Sequence, residues 1–135
     1  MKLVTYLHFT GQCEQALNFY AECLGGTVLQ LSRMGDSAAD LPETHKNLIM
    51  HARLKIGEDL LYLSDTMQGN NTVKGNNIRL SLDLDDIEKA DDLFARLSAG
   101  GKILMPLADQ FWGARFGMLE DSFGIQWMLN CQLKK

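Results

Sequence analysis

The residues of this sequence with the widest chemical range are His8, His51 and Asp65. Two imidazoles and a carboxylate on neighbouring strands can form a facial triad that holds a divalent ion and leaves coordination positions open. An ion held that way would act as a Lewis acid on a substrate oxygen. The same two histidines also fit a hydrogen-bonded polar strand face, because His51 alternates with Arg53 and Lys55. His45 stands in a polar stretch and reads as solvated. Arg79 can fix a carboxylate or phosphate through a bidentate contact, or it can pair with Asp65, Asp83 or Asp121. Tyr6 and Tyr62 can donate a hydrogen bond or carry a proton, or simply line an apolar pocket. Phe111, Trp112 and Phe116 suit an aromatic wall for a ligand, and equally suit packing.

Other chemistries are weakly supported. The three cysteines, Cys13, Cys23 and Cys131, are odd in number and show no CxxC spacing. That speaks against a disulfide scaffold and a cysteine-based zinc site. Cys13 and Cys23 fall on the apolar stripe of an expected helix, so they read as small core residues. The 135 residues carry 13 basic and 17 acidic side chains, for a net charge of −4. With no basic stripe, phosphate-driven nucleic-acid binding is not expected. The N-terminal residues lack the apolar core of a signal peptide, and no apolar run approaches the length of a membrane span. We therefore expect a cytoplasmic protein with no membrane partner.

The elements that must position these residues follow a degenerate repeat. Residues 3–29 and 78–104 share one plan: strand, helix, Gly-Gly, strand. Cys13, Ala16, Leu17, Tyr20, Cys23 and Leu24 recur at helical period, which predicts a helix from near Thr10 or Gly11 to Gly25-Gly26. Ile87, Ala90, Leu93, Phe94 and Leu97 predict a second helix, opened by Asp85 with Glu88 in a capping-box-like pattern and ended by Gly100-Gly101. Ile78, Leu80, Leu82 and Leu84 alternate with Asn77, Arg79, Ser81 and Asp83, which separates a helix-facing side from an open one. In the first half, Leu3, Leu7 and Phe9 oppose Val4, Tyr6 and His8. Further strands are expected at 27–34, 48–56, 60–65, 102–105, 114–119 and 124–130. Trp127 falls on the helix-facing side. Asp121-Ser122-Phe123-Gly124 reads as a turn, and Asp83, Asp85, Asp86, Asp91 and Asp92 as helix-opening or solvated acids. The stretch 35–47 reads as a mobile loop and 67–77 as the joint between halves. The expected fold class is α+β: two βαβββ modules, 1–67 and 76–131, with a linker near 68–75. Their curved mixed sheets form a cup, with the helices outside.

Several motifs extend this plan to a family. Tyr6-Leu7-His8-Phe9-Thr10-Gly11, followed by Glu14, Ala16, Leu17, Phe19 and Tyr20, resembles the opening of PhnB-like proteins. So do Met50 to Gly57 with Leu63-Ser64-Asp65, and Phe111-Trp112-Gly113 with Phe116-Gly117, Asp121, Phe123-Gly124 and Trp127. These proteins form a branch of the vicinal oxygen chelate superfamily, which includes glyoxalase I, bleomycin-resistance proteins and extradiol dioxygenases. The resemblance implies paired modules, a homodimer and a cup for a small-molecule ligand. Some members carry a label as demethylubiquinone methyltransferases, but no glycine-rich strand-turn-helix signature for S-adenosylmethionine occurs here. Metal-using members take ligands from the first and last strands of each module. Those positions fall at Val4 or Thr5, Tyr62, Asn77 and Met128, and none is His, Asp or Glu.

The sequence thus points to a small-molecule-binding protein with a cup lined by Tyr6, His8, His51, Tyr62, Asn77, Arg79, Trp112 and Phe116. No cofactor is expected and no catalytic residue is assigned. Two alternatives stand beside this reading. One is a metal-dependent lyase, isomerase or dioxygenase with a divalent ion at a displaced His8/His51 site. The other is a resistance protein that sequesters a drug without turnover.

Overall fold

Cys13, Ala16, Leu17 and Tyr20, spaced at helical period, are fully buried on one side of the helix α1 (Cys13–Leu24). Gly25 closes the helix in the left-handed region at φ 66°, and its N–H bonds the carbonyl of Ala21. No local side chain caps the other end, where Gln12 precedes the first turn. A computed structural model describes residues 1–36, 40–66 and 71–133. It divides into two compact units, Met1–Val73 and Lys74–Lys135.

In the first unit α1 packs on a sheet of β1 (Thr5–Phe9), β2 (Thr27–Arg33), β3 (Ile49–Ile56) and β4 (Asp59–Asp65). The strand order is β1-β4-β3-β2. β1 runs parallel to β4, and the other pairs are antiparallel. The parallel pair is reached only through the helix and two further strands, as parallel neighbours require a long crossover. Leu7, Phe9, Ala52, Leu54, Leu61 and Leu63 are buried on the helix side. The alternate residues of the same strands face away from the helix.

The buried carboxylate of Asp65 supplies what the start of α1 lacks. One oxygen accepts from the Cys13 backbone N–H at 3.0 Å, and the other from the Ile49 N–H at 2.9 Å. It ties the first turn of α1 and the start of β3 to the end of β4. A second tie lies at the surface, where Arg33 of β2 makes a paired contact to Glu14 of α1 at 2.6 and 3.1 Å and also bonds the Asn47 carbonyl. The expected loop 35–47 contains a 3-10 turn, Met34–Asp36, and a one-turn helix α2 (Glu43–Lys46); residues 37–39 lie outside the described residues. The same holds for residues 68–70 of the expected linker.

The second unit repeats the plan with β5 (Leu80–Leu84), α3 (Ile87–Ser98), β6 (Lys102–Asp109), β7 (Ala114–Glu120) and β8 (Gln126–Gln132), in the order β5-β8-β7-β6. Here β5 and β8 form the parallel pair. The α+β class and the βαβββ repeat are those expected from the sequence. Several boundaries differ, among them β1, which starts at Thr5 and leaves the expected core residue Leu3 exposed, and β8, which spans Gln126–Gln132 and not 124–130. α1 starts at Cys13 and not near Thr10. α3 is capped by Asp86, whose carboxylate accepts from Lys89 N–H, and not by Asp85. β5 starts at Leu80, leaving Ile78 exposed. β6 runs on to Asp109, with Pro106 tolerated because β6 is an edge strand whose register is interrupted between Met105 and Ala108. Gly117 of β7 lets this edge approach, since a Cβ there would meet Leu107 Cα and Phe94 Cε2 at 2.8 Å. Trp127 is buried on the helix side, and its indole N–H donates to Asp121 at 2.8 Å. The other oxygen of Asp121 accepts from Phe123 and Ile125 N–H, which shapes the turn.

Asp65→Asn keeps the size of the side chain but sets an amide N–H₂ against a backbone donor. Two charge-assisted bonds in a buried setting weaken together, so the variant should lose about 2–3 kcal/mol of stability. Urea unfolding checks this, with the midpoint falling at an unchanged slope; an unmoved midpoint would remove Asp65 from this role.

Candidate functional site

On β1, β4 and β3 the residues that alternate with the core form a connected polar and aromatic cluster. Tyr6 pairs in register with Tyr62, and Tyr62 with Arg53. One step along the sheet, His8 pairs with Ser64. The Tyr6 ring stacks on His8, with centroids 4.7 Å apart and planes 7° from parallel. Tyr62 meets Tyr6 edge-on at 5.7 Å and His51 edge-on at 5.1 Å. The Arg53 guanidinium lies over the Tyr62 ring, 5.0 Å from its centroid, within cation–π range.

Polar contacts lock this arrangement. The Tyr6 hydroxyl is 2.7 Å from His51 Nδ1. Arg53 Nε donates to His51 Nε2 at 3.1 Å. His8 Nδ1 and the hydroxyl of the buried Ser64 are 2.9 Å apart. An arginine Nε–H is always a donor, so His51 Nε2 must be an acceptor, and the proton of the neutral imidazole lies on Nδ1. Burial and the neighbouring Arg53 charge both hold the His51 pKa below its ordinary 6.5.

The cluster brings together four of the residues expected at the site: Tyr6, His8, His51 and Tyr62. It adds two that the sequence reading left aside, Arg53 and Ser64. The two-residue spacing of His51 and Arg53 was the signal for Arg53. Nothing in the sequence marks Ser64 apart from its place before Asp65. The facial triad of His8, His51 and Asp65 does not form. Asp65 turns to the helix side, where the Cys13 and Ile49 amides occupy its oxygens. Among the described residues no three His, Cys, Asp or Glu side chains converge on a common point. Val4, Thr5 and Tyr62, the positions at which the resemblance would place metal ligands in this unit, carry no His, Asp or Glu, and the Tyr62 ring already faces a guanidinium. These side chains do not supply the donor set of a hard divalent ion.

The remaining expected residues belong to the second unit. Arg79, one position before β5, has its Nε buried with no hydrogen bond among the described residues. The carboxylates of Asp65 and Asp121 are engaged elsewhere, the latter by Phe123, Ile125 and Trp127. Asn77 is exposed ahead of the strand. Trp112 and Phe111 stand in the hairpin turn between β6 and β7, where Gly113 N–H bonds the Gln110 carbonyl. Trp112 meets Phe116 at 5.9 Å and Phe111 at 5.2 Å in edge-to-face contacts. Phe111 itself is 97% exposed. Two of the clustered acids of α3 are paired: Asp91 with Arg115 at 2.7 Å and Asp92 with Arg96 at 3.1 Å. Burial pushes the Cys13 thiol up to about 12, helped by Asp65 and Glu14, so it is no nucleophile at neutral pH.

Protonating His51 would set an imidazolium N–H against the Arg53 N–H. The His51 imidazole should therefore titrate below 6.5 by NMR, and Arg53→Gln should raise its midpoint while the burial effect persists. Because the folded pKa is the lower one, the His51 contribution to stability is complete above about 6.5 and declines as pH falls from there to the folded value. A midpoint at or above 6.5 would contradict the geometry.

The sequence matches the Glyoxalase/Bleomycin resistance protein/Dioxygenase superfamily over residues 2–129. It is 33% identical to Protein YjdN of Escherichia coli K12, across 96% of this chain and 95% of that one. Among solved structures it resembles protein PA1353 from Pseudomonas aeruginosa, at 39% identity, TM-score 0.89 and 99% coverage of both chains. It also resembles a PhnB protein from Bacillus cereus, described as a putative 3-demethylubiquinone-9 3-methyltransferase, at 26% identity and TM-score 0.84, covering 97% of this chain and 99% of that one. The chain belongs to the Glyoxalase/Bleomycin resistance protein/Dioxygenase superfamily, in its PhnB-like branch.

Proposed function

We propose that the protein binds a small molecule on the open face of its first sheet, at Tyr6, His8, His51, Arg53 and Tyr62. The observation that carries this reading is the pre-set cluster on that face. Four rings and a guanidinium are linked by successive contacts, and two hydrogen bonds hold the central His51. A merely solvated strand face has no need of a hydrogen-bonded imidazole between an arginine and a tyrosine. Pre-set rings and donors of this kind lower the ordering cost of binding a ligand. In the second unit, taken by itself, Asn77, Arg79, Trp112 and Phe116 are proposed as ligand-binding residues. The buried Arg79 Nε, with no hydrogen bond among the described residues, supports including Arg79.

Two wider parts of the reading rest on the family. Homodimerisation is supported by apolar side chains exposed on the edge strands, among them Leu29, Leu31, Ile103 and Leu104. A cytoplasmic location fits the sequence, and no helix among the described residues is long and apolar enough to cross a membrane.

The test is amide-resolved NMR of the labelled protein against a library of small aromatic and heteroaromatic fragments. Binders should move resonances of β1, β3 and β4 around Tyr6, His51 and Tyr62. Tyr62→Ala should weaken them about tenfold, the loss expected for one aromatic contact. Fragments that bind only elsewhere, or none that bind, would overturn the assignment. Recovery of a bound fragment unchanged after prolonged incubation would mark sequestration, and a new species would mark turnover.

A further inference from the structure

The tautomer of His51 has a consequence for Tyr6, and it rests on the binding reading above. With its proton on Nδ1, His51 donates to the Tyr6 hydroxyl oxygen 2.7 Å away. That oxygen is then an acceptor toward the protein, and the phenolic O–H is directed elsewhere. Tyr6 is 40% exposed, which leaves its hydroxyl hydrogen room to donate to a ligand on the open face. The ring cannot swing away freely, because His8 stacks on it and Ser64 bonds His8. Arg53 sets the same geometry from the other side. Its Nε is committed to His51 and its plane to the Tyr62 ring. Among the described residues its Nη1 and Nη2 make no hydrogen bond or ion pair. The open face therefore offers a phenolic donor, a guanidinium edge free among the described residues and flat aromatic surfaces, and none of the described β1, β3 and β4 residues on that face is a carboxylate.

We infer that this site selects planar organic anions: a conjugated ring bearing a carboxylate or similar oxyanion. The charged group meets the Arg53 edge, an oxygen accepts from Tyr6, and the plane stacks parallel to the His8 ring and meets the Tyr62 ring, which stands nearly perpendicular to it, edge to face. His51 does not touch the ligand in this arrangement. It is a positioning residue that turns the Tyr6 hydrogen outward.

Two measurements on the intact chain test this. The first is the tautomer of His51 from long-range nitrogen–proton correlation at pH 8, with no ligand. The Nδ1–H form is expected, shifting toward Nε2–H in Arg53→Gln. A predominant Nε2–H form in the wild type would overturn the outward donor. The second is titration with benzoate, benzamide and cyclohexanecarboxylate, which separate charge from planarity. Benzoate should move the resonances of Tyr6, His51 and Arg53 and bind at least about tenfold tighter than either analogue; Tyr6→Phe should cost benzoate about tenfold. Equal binding of benzamide at the same residues would overturn the anion class and leave the small-molecule reading standing. Equal binding of cyclohexanecarboxylate would overturn planarity in the same way. If none of the three, nor any fragment of the wider library, moved this face, both readings would fall together.

Discussion

One buried carboxylate organises the first unit. Asp65 ends β4, yet it satisfies backbone donors on α1 and β3, two elements distant in sequence. A helix start exposes N–H groups that need acceptors, and α1 has no capping side chain of its own. Taking that acceptor from the adjoining strand fixes the helix to the sheet by chemistry as well as by apolar packing. It also draws the carboxylate to the helix side, away from the histidines that could have joined it around a metal.

The second unit solves the same problem locally. Asp86 caps α3 from the preceding residue, and the buried Asp121 is spent on a turn and on the indole of Trp127. The two units thus share strand order and parallel pairing but not the contacts that stabilise them. Their open faces differ too. The first carries an aromatic and imidazole cluster with a guanidinium. The second carries Arg79, with Trp112 and Phe116 beside the β6–β7 hairpin.

The repeat, the sheet faces and the burial of Trp127 were legible in the sequence because period two and period 3.6 are local properties. The exposed side of β1 could be read from Leu7 and Phe9 alone. Boundaries were less so. Asp85 and Asp86 are adjacent and chemically equal as caps, and only backbone geometry decides between them. The continuation of β6 through Pro106 depends on its being an edge strand, which sequence spacing does not reveal. The histidines and tyrosines were visible as candidates, and their mutual placement was not. That placement needs the parallel register of β1 on β4, a contact between residues more than fifty positions apart. Period two already sets Asp65 on the side of Leu61 and Leu63, but the amides of Cys13 and Ile49 that engage it there are non-local contacts, and without them its role was misread.

The alternation over residues 6–9 of β1, 51–54 of β3 and 60–63 of β4 separates what holds the unit together from what it presents. Leu7, Ala52, Leu54, Leu61 and Leu63 are packed away, while Tyr6, His51, Arg53 and Tyr62 stand between them on the other side. Substitutions at the presented positions leave the packed ones untouched. A lineage carrying this sheet could therefore change its recognition chemistry by single substitutions that spare the apolar core. The diversity of activities hosted by a single architecture is a natural outcome of such a division.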